Sequence, residues 1–91
     1  MAPPSSTPLR VHPDVIARRV GDGAVLVHVT SGRVFELNST GIRVWELLTD
    51  GRNRAAIIAS IEDEFAADAA TVAADVEALI DELTKRGLLT E

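Results

Sequence analysis

The 91-residue chain contains no cysteine, which excludes disulfides and thiolate metal sites and predicts a reducing, cytoplasmic setting. Aromatic residues are scarce: Phe35, Phe65 and Trp45 are the whole complement, so any core must be largely aliphatic. No apolar run approaches the roughly 18 residues that span a bilayer. The opening Met1-Ala2-Pro3-Pro4-Ser5-Ser6-Thr7-Pro8 has neither the basic start nor the apolar centre of a secretion signal. No membrane partner is therefore expected. All four prolines lie at or before Pro13. Residues 1–13 accordingly read as a flexible tail, and residues 14–91 as one domain with a modest core.

Basic charge is short in the second half. Up to Gly51 five arginines (10, 18, 19, 33, 43) balance five acids. From Arg52 onward four basic residues face nine acids, and the net charge of −5 arises there. Such a half repels phosphate backbones, so nucleic acid is not an expected partner.

What is present is a clear succession of elements. Val15 to Val20 reads as a strand, Gly21-Asp22-Gly23 as a turn, and Ala24 to Val29 as a second strand with Val25, Val27 and Val29 on one face. After Thr30-Ser31-Gly32, Arg33 to Leu37 reads as a third strand, with Phe35 and Leu37 opposite Val34 and Glu36. Two tight connections imply an antiparallel meander whose third strand can lie at an edge. Asn38, Ser39 and Thr40 are three candidate caps for a helix from about Thr40 to Leu48, striped by Ile42, Trp45 and Leu48 and ended at Asp50-Gly51. Asn53 suits the cap of a second helix carrying Ile57, Ile58, Ile61 and Phe65. Asp68 suits the cap of a third, ending near Arg86-Gly87. The third helix's stripe, Val72, Val76, Leu79, Ile80 and Leu83, falls within about 100° of arc. Leu88 and Leu89 are expected to fold back onto the core. The reading is an α+β fold, three antiparallel strands followed by three helices, winged helix-turn-helix in character.

Chemistry-bearing constellations are missing. His12 lies in the tail, and His28 reads as a half-exposed strand residue. Glu62-Asp63-Glu64 reads as a solvated helix face, no metal-ligand spacing occurs, and Gly21-Asp22-Gly23 lacks the context of a phosphate loop. The expectation is a protein without catalysis, metal or cofactor. A DNA-reading role for the third helix is disfavoured, since Asp75, Glu77, Asp81 and Glu82 have no compensating basic face. Peptide binding is the chemistry that remains. An edge strand exposes unpaired amides and carbonyls that another extended chain can complete. Asp75 and Glu82 lie about 60° and 80° to one side of Val72, so both border the apolar stripe on one flank. Either that flank overhangs the third strand and makes an apolar groove with an acidic rim, or the stripe is plain core and the acids are solvated. Pairing of the edge strand with a protein subunit, including a second copy, is the competing use of the same edge, so the chain is a monomer or a weak dimer.

The run Phe35-Glu36-Leu37-Asn38-Ser39-Thr40-Gly41-Ile42-Arg43-Val44-Trp45-Glu46-Leu47-Leu48, then Asp50-Gly51, resembles the signature of PqqD-like proteins. Asp75-Val76-x-x-Leu79 and Leu83-x-x-x-Gly87-Leu88-Leu89 agree with it. The resemblance implies a recognition element for precursors of ribosomally made, post-translationally modified peptides. In that family the precursor's leader adds as a strand beside the third strand and lies against the third helix. By position, Arg33, Val34, Phe35, Glu36 and Leu37 would pair with the leader, and Val72, Asp75, Val76, Leu79 and Glu82 would line or border the cleft. The wording around Trp45 is most similar to the stand-alone leader-binding proteins of lasso-peptide biosynthesis. These present the precursor to a leader peptidase of the transglutaminase-like type and to the cyclase. The alternative within the family is the pyrroloquinoline quinone chaperone, which partners a radical enzyme.

Overall fold

The computed structural model describes residues 9–65 and 68–90. Its elements are β1 (Arg10–Val11), β2 (Val15–Val20), β3 (Gly23–His28), β4 (Arg33–Leu37), α1 (Ser39–Thr49), α2 (Arg54–Phe65), α3 (Ala69–Lys85) and β5 (Leu89–Thr90). Strands β2, β3 and β4 form an antiparallel sheet in that order, followed by three helices, which is the expected winged arrangement. Gly23 allows the close approach of β3 and β4: a Cβ at this position would stand 2.5 Å from the Leu37 carbonyl oxygen.

The helix limits follow from their caps. The Asn38 side chain accepts from the Gly41 amide at 2.8 Å, Asn53 from Ala56 at 2.9 Å and Asp68 from Thr71 at 3.1 Å, each satisfying a free first-turn donor. At the end of α3, Gly87 takes φ 75°, which a side chain would resist. Its amide donates to Thr84 and that of Leu88 to Leu83, the paired bonds that close a helix and turn the chain back. Leu88 and Leu89 are thereby buried in the core.

Core residues come from one face of the sheet (Ala24, Leu26, Leu37) and from Val44, Trp45, Leu48, Ile57, Ile61, Val76, Ile80 and Leu83 of the helices. Ion pairs join separate elements: Arg19 to Glu46 at 2.9 Å links β2 to α1, Arg54 to Glu77 at 3.0 Å links α2 to α3, and Arg43 to Glu64 at 2.7 Å links α1 to α2. The last holds the Glu64 carboxyl below its ordinary pKa through the hydrogen bond from Arg43, which raises the arginine in turn.

One expectation needs correction. Residues 9–13 were expected in the tail, yet Leu9 is buried in the core and β1 pairs with β5, Arg10 opposite Thr90 and Val11 opposite Leu89. The His12 amide donates to the Leu88 carbonyl at 3.0 Å, and its ring lies 4.6 Å from that of His28. The first and last described strands therefore meet across the fold. Residues 1–8 of the expected tail lie outside the described residues.

Candidate functional site

Among the described residues, strand β4 pairs on one side only. The Val29 amide donates to the Asp14 carbonyl at 3.0 Å. In an antiparallel ladder this directs the backbone groups of every second residue of β3 (23, 25, 27) toward β2, and those of Ala24, Leu26 and His28 toward β4. Their partners in register are Leu37, Phe35 and Arg33. The N–H and C=O of Val34 and Glu36 thus point away from the sheet, at its open edge. These four backbone groups form the unfilled half of a ladder.

Beside that edge lies a cleft of about 490 Å³ between β4 and α3. Phe35, Leu37, Val72, Val76 and Leu79 supply its apolar surface, with Glu36 and Asp75 at its margin. Seven of the ten sequence-expected positions are thereby brought together, and two of them, Val72 and Val76, are at the same time buried in the core. Arg33 and Val34 lie outside the lining. Val34 is 56 % exposed, on the opposite face of the sheet.

Glu82 is not part of the lining, contrary to the expected acidic rim. Its carboxylate accepts from Arg86 Nε at 3.2 Å, and the Arg86 guanidinium lies 5.1 Å from the centre of the Phe35 ring. A cation over an aromatic face is attracted by the ring's electron density. Glu82 is therefore paired along α3 with an arginine that stacks on Phe35. The acidic character of the cleft belongs to Asp75, since the Glu36 side chain, like that of Val34, projects from the opposite face of the sheet.

Other walls of the cleft were not assigned from the sequence: Asn38, Thr40, Gly41 and Val44 from the start of α1, and Ile61 and Phe65 from α2. Gly41 allows α1 to begin against β4, since a Cβ there would lie 3.1 Å from Leu37 Cδ2. Phe65 reads by spacing as core, but it is 42 % exposed and borders the cleft. Its position at the end of an apolar stripe, beyond three successive acids, was the available signal. No group of His, Cys, Asp and Glu able to hold a metal ion occurs among the described residues. No helix among them is long and apolar enough to cross a membrane.

The model of the family described as "Coenzyme PQQ synthesis protein D (PqqD)" matches residues 23–89, from the start of β3 to the beginning of β5. The chain belongs to the PqqD family. No curated protein matches it. Among solved structures, this PqqD-family chain is similar to TbiB1 in complex with the TbiA(beta) leader peptide. The two share 30 % identity at a TM-score of 0.80, over 88 % of this chain and 93 % of the other. It is also similar to a lasso peptide synthetase B1 complexed with the leader peptide, at 24 % identity and a TM-score of 0.81, over 91 % and 98 % of the two chains. At that identity the second likeness bears on the fold alone.

Proposed function

We propose that this protein captures the leader segment of a ribosomally made precursor peptide and delivers it to a leader peptidase and a maturation enzyme, as in lasso-peptide biosynthesis. The observation that carries the reading is the juxtaposition of unpaired Val34 and Glu36 backbone with the apolar cleft under α3. An extended leader would hydrogen-bond to β4 and send alternate side chains toward Phe35, Leu37, Val72, Val76 and Leu79. The likeness to leader-bound TbiB1 supports leader capture, and the similarity of the run around Trp45 to lasso-peptide leader-binding proteins supports the lasso-type setting.

The role is non-catalytic and cytoplasmic. Holding the leader raises its effective concentration beside the processing enzymes. Main-chain bonds give register, and one or two apolar anchors in the cleft dominate affinity. Asp75 favours a leader with Lys or Arg beside those anchors, acting on association rate and selectivity.

Leu79 is the residue of choice for a test, because it borders the cleft and is only partly buried. Titration of a fluorescent synthetic leader should show Leu79→Asp binding about tenfold or more weakly, as for an interface anchor. Unchanged affinity in a folded variant would remove the cleft from the site. Delivery is tested separately: adding the protein should accelerate leader cleavage by its peptidase, and no acceleration would restrict the role to capture.

A further inference from the structure

The sheet has a second face, turned away from the core. Register places Ile16, Val27 and Val34 in one row across β2, β3 and β4, and Arg18, Val25 and Glu36 in the next. Ile16 is 48 % exposed and Val20, at the margin, 62 %. Arg18 and Glu36 stand on either side of Val25, two strands or about 10 Å apart. Neither has a hydrogen-bond or ion-pair partner among the described residues.

We propose that this face packs against the same face of a second copy of the chain, in a transient two-fold dimer. A two-fold axis lying between the sheets and parallel to β3 sets β3 on β3, and β2 of each copy over β4 of the other. Residues of one row stay at the same height. Val25 and Val27 then meet their own counterparts, Ile16 meets the second copy's Val34, and Arg18 faces the second copy's Glu36. Both unpaired charges find opposite partners twice over, and the apolar row is covered. The face is self-complementary in charge as well as in polarity.

Three strands spaced about 4.8 Å apart, six residues long at about 3.3 Å each, give roughly 300 Å² per partner, against about 800 Å² in a stable complex. The association is accordingly weak. It leaves both β4 edges open, because the strand lying over β4 is the other copy's outermost strand, β2. The inference is independent of leader capture.

Sedimentation equilibrium of the full chain from about 10 µM to about 1 mM, the range set by so small an interface, tests it. The mass should rise from the 9.7 kDa of one chain toward twice that value. Ile16→Asp should abolish the rise. Arg18→Glu or Glu36→Arg alone should weaken association about fivefold or more, and the combined reversal should restore it to within about twofold. Circular dichroism verifies the fold of each variant. A single-chain mass throughout overturns the proposal and leaves the face to a different protein. A dimer insensitive to Ile16→Asp and to the charge reversals, but lost on Val34→Pro, overturns it in favour of edge-to-edge pairing. Failure of the combined reversal to restore association overturns the two-fold arrangement.

Discussion

Among single residues, the side chains at the cleft divide into those that shape it and those that charge it. Gly41 and Leu37 set how closely α1 meets β4, whereas Asp75 gives the margin its sign. Arg43 and Glu64 lie outside the cleft but join α1 to α2, which both contribute to its walls. Because the hydrogen bond from Arg43 lowers the folded-state pKa of Glu64, its stabilising contribution is present above the ordinary carboxylate pKa. It is lost as the pH falls through the lower, folded value. Glu64→Gln should therefore melt below the wild type at neutral pH, and the gap should close in acid. Thermal unfolding across that range checks this; a gap independent of pH would separate the effect from the ion pair.

Among elements, β4 combines two properties that ordinarily conflict. Its Phe35 and Leu37 side chains pack inward, while its backbone stays open to pairing. Glu36→Pro separates the two, because it removes an amide that faces the open edge and leaves the bonds from β4 to β3 in place. Loss of one hydrogen bond, worth about 0.5–1.5 kcal/mol, together with the bulk of the ring should weaken leader binding roughly tenfold. Calorimetric titration measures this, with melting temperature as the control for folding. Elements of this kind are legible in sequence because their signals are local. The caps Asn38, Asn53 and Asp68, the alternation in β4 and the stripe of α3 each span a few residues. Glu82 carries a local signal too, its i,i+4 spacing to Arg86, which gives the carboxylate a partner along α3 itself.

For the molecule as a whole, the first and last described segments are part of the fold. Leu9 joins the core, and β1 pairs with β5 across 80 residues of sequence, Arg10 opposite Thr90. No local pattern announces such a pairing: two residues are too few for alternation, and the prolines on both sides suggest a tail. Burial makes the difference testable, since Leu9→Ala should lose about 2–4 kcal/mol of stability, as at other buried leucines. Denaturant unfolding would show it, whereas a change within about 0.5 kcal/mol, as at an exposed position, would return Leu9 to the tail. The same view gives the sheet its division of labour: one face holds the core, the edge of β4 is open to a leader, and the outer face is free for a second copy. The claim on which the function depends is the open edge. Residue-resolved hydrogen exchange, with and without a synthetic leader peptide, tests it most directly. The Val34 and Glu36 amides, exchangeable in the free protein, should become protected on binding. Saturating leader that protects other surfaces while leaving these two amides unchanged would contradict it.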